Sequence, residues 1–575
     1  MEQLDDAILK GIRNFSLQNA FLYGAPDPKA IMGKIMSGHK ELRPHAKVVM
    51  EAIRSISSTI STMSKGDIEQ ELSVEAPELL EKKEHVQEIG LSDLPNVQGE
   101  VIMRFAPGPS GPLHIGHSRA AVINDEYVKR YGGKFILRLE DTNPMKILDS
   151  AYEMIPEDMK WLGANVHEVI NQSDRFQIYI DHARQIIELG GGYVCSCPVE
   201  EWRDLKEQGN PCPHRELPPP RQLEEWDRLV SGFYKEGEAS LIIKTDLQHP
   251  NPAIRDFVAM RISDHPHPRT GTRFRLYPLY NFSVAIDDHL MGMTHVLRGK
   301  DHLNNTYKQK FIYKYFGWKE PEFIHYGWVS IPDTLLKTSS IREGIETGNY
   351  SGWDDMQLGT FRSLEKRGYS PEAIRRYWVE VGVKEVDIKF SWKTLNAYNK
   401  EIIDPLSPRY FFVRDPVPMT ITDAVELQGH APLFPDAPEK GYRKVTLRNT
   451  GLGIPLFVTR EDATLIEEGS TVRLKDLGNV TILKKGSKGI AAQYIGNDHT
   501  IIRQGARNIH WCGSDGIPTT VYMPDGSTIE GLTEPGILES TSVNVQFERF
   551  GFVRIEKQEH EDGKEFNIQA YFTHK

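Results

Sequence analysis

The chain has 575 residues, of which 39% are hydrophobic and 26% charged, which is typical of a water-soluble protein with roughly three to five domains. The formal net charge of −11 excludes an overall basic nucleic-acid binder but not a local basic face, because phosphate contacts need positive charge only where they form. The sequence shows no apolar run of membrane-spanning length, no signal-peptide pattern and only four cysteines, so we expect a cytoplasmic protein in a reducing compartment.

Residues 1–98 are predicted to form a helical extension, a small structural or docking domain without catalytic chemistry. One amphipathic helix is indicated by apolar residues at helical spacing. These residues are Val49, Ala52, Ile53, Ile56, Ile60 and Met63. The acidic run EAPELLEKKEHVQEI and the turn residues that follow it predict a domain boundary just before residue 99.

The segment from Arg104 to Pro144 carries the most specific pattern in the chain. The run VIMRFA predicts a strand, a loop rich in Gly and Pro follows, and the tetrapeptide HIGH (residues 114–117) stands where a helical pattern begins. A second strand pattern, KFILRLED, completes one right-handed crossover unit of a parallel sheet. Because helix N-termini in such units attract phosphate, the imidazoles of His114 and His117 can donate hydrogen bonds to phosphate oxygens.

HIGH alone is a weak motif, but here RFAPGPSGPL precedes it and RLEDTNP follows it shortly afterwards. In that context the chain resembles the class I aminoacyl-tRNA synthetases of the glutamyl/glutaminyl branch. The resemblance, which extends over roughly residues 95–575, implies an enzyme that uses ATP and Mg²⁺. Such an enzyme joins L-glutamate to AMP and then passes the glutamyl group to the 3′-terminal ribose of a tRNA.

The remaining patterns, read with this resemblance, predict a multidomain α/β protein. A run of glycines, a triple proline and clustered cysteines interrupt the sheet pattern and indicate an insertion, while short alternating runs near the C-terminus predict antiparallel β-barrels. The predicted ranges are 99–190 for the first half of a Rossmann-type catalytic domain, 191–270 for an acceptor-binding insertion, 271–345 for the second catalytic half, 346–400 for a helical tRNA stem-contact region and 401–575 for a β-barrel anticodon-binding region. Barrels without an appended transferase-like domain favour the archaeal form of the glutamyl enzymes.

The resemblance assigns ATP binding and catalysis to two segments. In the first, His114 and His117 donate to the phosphates and Gly116 lets the backbone approach ATP closely. The second is a mobile loop of KMSKS type, which here reads KTSSI from position 337. Lys337 keeps a cation and Ser339 a hydroxyl, but a serine replaces the second lysine, and Arg342 is a candidate substitute for it.

Glutamate carries two carboxylates and one ammonium. Its pocket therefore requires two cations, each able to bind a carboxylate through two hydrogen bonds, and one anion for the ammonium. Three of the family's substrate-binding residues match positions in this chain. Arg104 in RFAP matches an arginine, Glu140 in RLEDTNP matches the acid that receives the α-ammonium, and Tyr280 in YNF matches a tyrosine contacting the substrate side chain.

Arg298, in THVLRGKDH, stands where glutamyl enzymes carry arginine and glutaminyl enzymes carry a small, uncharged residue. A neutral amide would leave the guanidinium charge unpaired, which costs free energy in a buried site, so Arg298 favours glutamate. The alternative for Arg298 is a structural salt bridge with Asp301 or Asp287.

The cysteines form a second candidate site. Cys195 and Cys197 are followed after fourteen residues by Cys212 and then His214, which is a spacing able to close a tetrahedral Cys₃His zinc site. The pattern resembles a zinc module in the acceptor-binding insertion of some glutamyl enzymes, and four protein ligands imply a structural Zn²⁺. The alternatives are a set of unligated cysteines, or a site that loses one ligand to a neighbour such as Tyr193. Cys512, which has no partner motif, is predicted to pack inside a barrel.

Contacts with tRNA are less clearly marked. Asp354 and Asp355 match family residues near the tRNA stem, but Met356 and Gln357 replace the usual Pro-Arg. Basic residues among aromatics are candidates for phosphate contact, although charged helical rows are usually solvated faces. The candidates are Lys308, Lys310, Arg362, Lys366, Arg367, Arg375 and Arg376.

Within the synthetases the alternative is a glutaminyl enzyme. Outside them, the alternatives are a nucleotidyltransferase acting on a small acid without tRNA, and an inactive tRNA-binding relative, which only the altered KTSSI segment supports. We expect a monomer that charges tRNA(Glu) and, as the archaeal form implies, also tRNA(Gln).

Overall fold

The computed structural model describes residues 4–39, 42, 45–79, 90–559 and 566–575, so most of the predicted acidic boundary run lies outside the described residues. The chain divides into two compact units, residues 1–88 and 89–575. Leu91 and Leu94 pack in the same core as Val101, so the second unit begins before the boundary predicted near residue 98. No helix in the described ranges is long and apolar enough to cross a membrane.

The first unit is helical in its described residues. Its helices are α1 (Asp6–Tyr23), α2 (Pro28–Gly38), α3 (Ala46–Ile60) and α4 (Lys65–Glu75). The predicted amphipathic helix is confirmed as α3, whose buried residues Val49, Ile53 and Ile60 share one face, whereas Met63 lies beyond its end. Ser64 and Asp67 then form a capping box that begins α4.

The second unit opens with strand–helix repeats. The elements are β1 (Val101–Phe105), α5 (Ile115–Tyr131), β2 (Gly133–Leu139), α6 (Ala151–Trp161), β3 (Glu168–Asn171) and α7 (Phe176–Glu188). The strands pair in parallel in the order β1-β2-β3, and the buried Val101, Met103, Phe135 and Leu137 belong to one core. The crossover predicted from the sequence around HIGH is therefore confirmed.

A separate four-stranded antiparallel sheet follows, and its strands lie side by side in chain order. Its region contains β4 (Gly192–Cys195), α8 (Val199–Gln208), α9 (Pro219–Val230), β5 (Ser240–Ile243), β6 (Phe257–Ile262) and β7 (Leu276–Pro278). The chain then returns to the parallel sheet through α10 (Tyr280–Leu290), β8 (His295–Gly299), α11 (Leu303–Phe316) and β9 (Glu322–Tyr326).

The two halves of the parallel sheet join at β1 and β8. β8 pairs in parallel with β9, and the Thr294 N–H, just before β8, donates to the Ile102 carbonyl of β1 at 3.0 Å. The spatial order is therefore β9-β8-β1-β2-β3, and the direction of winding reverses between β1 and β8. In open parallel sheets ligands bind in the crevice at such a reversal, outside the carboxyl ends of the strands.

The chain continues through a largely helical region. It comprises β10 (Val329–Ser330), α12 (Thr338–Glu346), α13 (Phe361–Lys366), α14 (Pro371–Val381), β11 (Ile388–Lys389) and α15 (Trp392–Ile403). β10 pairs in parallel with β11, which ties the chain after β9 to the segment between α14 and α15.

The C-terminal region forms two seven-stranded sheets and a separate two-stranded antiparallel sheet, Glu426–Pro432 with Tyr442–Arg448. Its elements are β12 (Arg409–Tyr410), β13 (Phe412–Arg414), β14 (Pro416–Thr422), β15 (Glu426–Pro432), β16 (Tyr442–Arg448), β17 (Ile454–Thr459), α16 (Arg460–Leu465), β18 (Thr471–Leu474), β19 (Gly478–Gly486), β20 (Gly489–Gly496), α17 (Thr500–Arg503), β21 (Arg507–Ile509), β22 (Trp511–Gly513), β23 (Ile517–Tyr522), β24 (Thr528–Thr533), β25 (Asn544–Phe547), β26 (Gly551–Glu559) and β27 (Phe566–His574). The orders are β21-β18-β19-β20-β14-β17-β22 and β12-β25-β26-β27-β23-β24-β13. These near-barrels confirm the predicted β architecture, except that pairs such as β14–β20 and β23–β27 are parallel.

Candidate active site

A cavity of about 480 Å³ opens at the carboxyl ends of β1 and β8. It is lined by all four residues predicted to bind the amino acid and by two of the residues predicted to bind ATP. These lining residues are Arg104, Glu140, Tyr280, Arg298, Gly116 and His117. Residues predicted from widely separated motifs therefore meet at the reversal of the sheet, while His114, Lys337 and Ser339 are not among the lining residues.

Arg104 is anchored by a buried carboxylate that is absent from the residues predicted for this site. Its Nε and Nη2 donate to the two Asp288 oxygens at 3.0 and 3.1 Å. Arg138 donates to Asp288 at 2.7 Å and to Glu140 at 3.2 Å. Burial favours a raised pKa for Asp288, but the two guanidiniums outweigh it and lower this pKa to about 2. Asp288 thus occupies the Nε–Nη2 edge of the Arg104 guanidinium, which leaves Nη1 to donate to a ligand.

Arg298 is held in a different way. It is 5% exposed, and its Nη2 donates to Thr306 Oγ1 at 2.7 Å and to Gln309 Oε1 at 2.8 Å. Its Nη1 lies 3.5 Å from the Tyr280 hydroxyl, and its buried Nε has no hydrogen-bond partner in the described part of the chain. The guanidinium is therefore oriented by neutral acceptors, which do not offset its positive charge.

The predicted alternative of a structural salt bridge for Arg298 is not found. Among the described residues no carboxylate lies within ion-pair distance of it, and Asp287 instead accepts hydrogen bonds from Arg175 and Tyr179, both at 2.7 Å. Burial lowers the pKa of Arg298. Since a buried, unpaired charge is costly, the site favours an anionic ligand at this position.

Glu140 and Tyr280 complete the polar lining near these arginines. Glu140 is held through Arg138, and its side chain is 13% exposed. Burial raises the pKa of Glu140, against the opposing effect of Arg138 and Arg104. An arriving ammonium group would stabilise the charged carboxylate in the same way as these arginines. The Tyr280 hydroxyl lies 3.2 Å from His302 Nδ1.

The two histidines of HIGH lie at the first turn of α5. His114 is the N-cap, its Nδ1 accepts the Gly116 N–H at 3.1 Å, and His117 Nδ1 accepts the His114 N–H at 3.3 Å. Burial lowers the pKa of both rings, that of His117 to about 4. Both are therefore neutral near pH 7, and since each Nδ1 accepts, each proton is on Nε2 and can be donated.

Gly116 keeps this arrangement open. The two rings stack with centroids 3.7 Å apart, and a methyl group at Gly116 would lie 2.9 Å from the His114 ring. A side chain at this position would displace His114 and cover the N–H groups at the start of α5. Glycine is therefore required for close approach of a ligand to this helix N-terminus.

The KTSSI segment lies at the start of α12. Lys337 is the N-cap residue, Lys337 and Ser339 are exposed, and Thr338 begins the helix, so the predicted loop is helical from its second residue. Among the described residues Lys337 has no ion-pair partner. Its ammonium is therefore available to a ligand.

α12 is packed against the loop that precedes His114. A methyl group at Gly111 would lie 2.5 Å from Thr338 Cγ2, and Arg342 Nη2 donates to the Ser110 carbonyl at 2.8 Å. These contacts place the two predicted nucleotide segments side by side. The sequence indicates Arg342 as a candidate substitute for the missing second lysine. In the structure it instead links the two segments through its hydrogen bond to Ser110.

The four predicted metal ligands come together in the insertion. All four donor atoms lie within 4.8 Å of one another. Cys195 Sγ is 3.7 Å from Cys212 Sγ, and His214 Nδ1 is 3.3 Å from Cys197 Sγ. A sulfur–sulfur distance near 3.7 Å is what a tetrahedral zinc site with Zn–S bonds of about 2.3 Å requires. His214 Nε2 lies 3.0 Å from the Ser196 hydroxyl, which orients the ring from its other side.

Comparisons with known proteins agree with this geometry. The family model for the catalytic domain of class I tRNA synthetases (E and Q) matches residues 100–405, and that for the anticodon-binding domain of the same class matches residues 407–495. The chain belongs to the class I tRNA synthetases of the E and Q group. Three relatives named glutamate–tRNA ligase match over nearly their whole length. They come from Thermococcus kodakarensis (43% identity, 100% of each chain), Pyrococcus abyssi (45%, 98% of each) and Methanocaldococcus jannaschii (46%, 95% of this chain and 97% of the relative).

In this synthetase most of the basic residues predicted to contact tRNA form internal contacts. The ion pairs are Lys310–Glu320, Arg362–Glu157, Lys366–Asp354, Arg375–Asp125 and Arg376–Glu401. Arg367 donates to two backbone carbonyls of β27, and Arg375 is buried. Within the described residues only Lys308 of this set has neither an ion pair nor a hydrogen bond. Asp355 accepts the Ser351 and Gln357 N–H groups and so stabilises a turn.

The residues that orient the arginines were not predicted. Asp288, Arg138, Thr306 and Gln309 lie outside HIGH and KTSSI, on elements whose pairing is set by the tertiary fold. One signal was present in the sequence: α10 carries two adjacent acids in the otherwise largely apolar run YNFSVAIDDHL. Acids in such a helix indicate buried partners, because unpaired buried charge is rare.

Proposed function

We propose that this chain catalyses the ATP-dependent attachment of L-glutamate to the 3′ end of tRNA through a glutamyl-adenylate. The observation that supports glutamate most directly is Arg298, a buried cation in the cavity that has no carboxylate partner among the residues the structure describes. The γ-carboxylate of glutamate supplies that partner. The uncharged amide of glutamine does not.

Four side chains are proposed to bind glutamate. Arg298 and Arg104 bind the two carboxylates, and Glu140 receives the α-ammonium. Tyr280, 3.5 Å from Arg298 Nη1, contacts the substrate side chain. Asp288 and Arg138 act as positioning residues, because they hold Arg104 and Glu140 in place.

ATP is proposed to bind at the start of α5, with its phosphates near α12. The Nε2–H groups of His114 and His117 donate to phosphate oxygens, and Gly116 leaves the space for them. Lys337 adds positive charge and Ser339 a hydroxyl as negative charge develops on the leaving pyrophosphate. Mg²⁺ bound to the phosphates supplies further charge neutralisation. The protein's contribution is then orientation and charge stabilisation of an in-line displacement by the glutamate α-carboxylate.

Cys195, Cys197, Cys212 and His214 are proposed to hold one structural Zn²⁺. The donor spacing suits a tetrahedral ion, and all four ligands come from the protein, so the ion has no open position for a substrate. Its chemistry is to fix the end of β4 against the turn after α8. That turn belongs to the insertion proposed to receive the tRNA acceptor end.

Aminoacylation with purified tRNA(Glu) and tRNA(Gln) tests the function. Labelled glutamate and glutamine are supplied separately with ATP, and ATP–pyrophosphate exchange is measured with and without tRNA. We expect charging with glutamate, on tRNA(Glu) and also on tRNA(Gln). We also expect a cytoplasmic monomer, which cell fractionation and size-exclusion chromatography would test.

Each alternative gives a distinct result. Charging with glutamine would identify a glutaminyl enzyme. Exchange that never leads to charged tRNA would indicate a nucleotidyltransferase for a small acid. Binding of tRNA without exchange or charging would indicate an inactive relative.

A further inference from the structure

Trp328 is an exposed aromatic residue in the wall of the catalytic cavity. Its side chain is 59% exposed, and it follows β9 directly after Gly327. Within the described parts of the chain its indole stacks on no other ring and is covered by no cation. A large apolar surface in this position contributes little to folding, because it remains in water.

The backbone around Trp328 is fixed although its side chain is not covered. The Gly327 N–H donates to the Lys384 carbonyl at 2.8 Å, and the Trp328 N–H donates to Asp387 Oδ1 at 2.7 Å. The Trp328 carbonyl accepts the Ile388 N–H at 2.9 Å. The indole is therefore presented from a rigid support.

Two further contacts make this support tighter. A methyl group at Gly327 would lie 2.0 Å from the Val386 carbonyl oxygen, so only glycine permits this approach of the two chain segments. The buried Arg119 donates to the Gly327 carbonyl at 2.8 Å and lies over the Tyr326 ring. Arg119 belongs to α5, so the helix that begins with HIGH also holds the backbone that carries Trp328.

We propose that Trp328 is the platform on which the adenine of an adenosine ligand stacks in the catalytic cavity. The inference rests on the proposed function, because both ATP and the 3′-terminal nucleotide of tRNA carry adenosine into that cavity. Gly116 and His117 line the same cavity at the helix N-terminus, where phosphates bind, so a bound nucleotide has its base within this enclosure. Stacking on an aromatic face suits a base and needs no hydrogen-bond partner from the indole.

Three substitutions separate stacking from other effects. Trp328→Ala removes the platform, Trp328→Leu keeps an apolar side chain without an aromatic face, and Trp328→Phe keeps a smaller aromatic face. Phe233→Ala is the matched control, since Phe233 is 61% exposed and does not line the cavity. Thermal unfolding of each variant should match the parent protein, because an exposed side chain is replaced.

Direct binding of ATP, followed by tryptophan fluorescence, is the first measurement. We expect Trp328→Ala and Trp328→Leu to weaken ATP binding by roughly five- to hundred-fold, the scale of one base–aromatic stack, and Trp328→Phe to weaken it much less. The quenching that ATP produces in the parent protein should be absent in Trp328→Phe. Equal ATP affinity in all variants, with quenching retained, excludes Trp328 as the platform for ATP.

The second measurement distinguishes the tRNA terminus from ATP. A tRNA carrying fluorescent 2-aminopurine at its 3′ end should be quenched by the parent protein and not by Trp328→Ala if the terminal nucleotide uses the platform. If Trp328→Ala changes the 2-aminopurine quenching but not ATP binding, the platform serves the tRNA terminus. If it changes neither measurement, the proposal is overturned. ATP-dependent charging by the parent protein is the separate check on the proposed function, and it stands or fails independently of Trp328.

Discussion

Replacing Arg298 with alanine should change the choice of amino acid more than it changes the fold. The substitution removes the buried, unpaired guanidinium and leaves Thr306 and Gln309, both neutral, without a shared donor. No carboxylate loses an ion-pair partner, so the thermal unfolding temperature should fall only modestly. Under the proposed role of Arg298, glutamate in contrast loses the cation matched to one of its carboxylates.

The size of the effect follows from the free donors of Arg298. Its Nη2 is occupied by Thr306 and Gln309, whereas its Nη1 has only a long contact to Tyr280 and can donate a charge-assisted hydrogen bond to a carboxylate. Removing one partner of a buried, hydrogen-bonded charge pair costs about 3–5 kcal/mol. At about 1.4 kcal/mol per tenfold change, kcat/KM for glutamate should fall by roughly 10² to 10⁴.

Steady-state aminoacylation with glutamate and with glutamine measures this change. Glutamine use should fall far less, or rise, because specificity is a difference between two affinities. Arg298→Lys, which keeps a charge but not the planar fork, should lie between the parent and Arg298→Ala. Thr306→Val is the matched control, since it removes a neutral contact of Arg298 and keeps the charge. Parallel losses for glutamate and glutamine in Arg298→Ala would show that Arg298 is structural.

Four further outcomes are expected. Purified protein should contain about one zinc per chain by metal analysis, and Cys212→Ser should lose it and impair tRNA charging more than ATP binding, whereas a metal-free, fully active preparation would refute the site. His117→Ala should slow pyrophosphate exchange by roughly 10²- to 10³-fold, and activity within a few-fold of the parent would remove the ring from the mechanism. Lys337→Ala should lower the activation rate with little change in the KM for glutamate, while a silent Lys337→Ala with a severe Arg342→Ala would reverse their roles. Burial raises the pKa of Asp158 in the folded protein to about 7, above its value in the unfolded chain. The free energy of unfolding, measured with urea, should therefore fall as pH rises from about 4 through 7. The Asp158→Asn variant should lack this pH dependence.

The parts of the fold that could be predicted from the sequence are those encoded over short distances. The strand, Gly/Pro loop and helix around HIGH lie within about forty residues, and their turn and capping residues specify the local geometry. The Cys₃His cluster is also local, because only α8 and the turn that follows it separate the two close pairs of ligands. In both cases the structure brings together the residues that the pattern singles out.

Long-range pairing could not be predicted in the same way. Arg104 and Asp288 are 184 positions apart, and Arg362 and Glu157 are 205 apart, so no local period relates either pair. Rows of basic residues on helices therefore resemble an RNA-binding face in the sequence, although the fold places acids opposite most of them. Among the described residues, Lys308 and Arg367 are the members of that set without an acidic partner, and Arg367 donates to backbone carbonyls instead.

The charge balance of the cavity explains why the presence of an arginine in the sequence does not by itself identify a residue that binds an anionic ligand. Arg104 and Arg138 are offset by Asp288 and Glu140, so this group is neutral before any ligand arrives. Arg298 is set apart by the neutral acceptors around it, and its charge is not offset. The distinction between these arginines becomes visible only when their partners are known.

The same balance relates the cavity to the net charge of its amino acid. Arg119 and Asp301 also line the cavity and are opposite in sign, so Arg298 is left as the excess positive charge. Free glutamate near neutral pH has two carboxylates and one ammonium, and therefore one excess negative charge. Glutamine has none. In the proposed pocket, selection of glutamate depends on matching one buried charge to another, since a neutral ligand would trap Arg298 away from water without compensation.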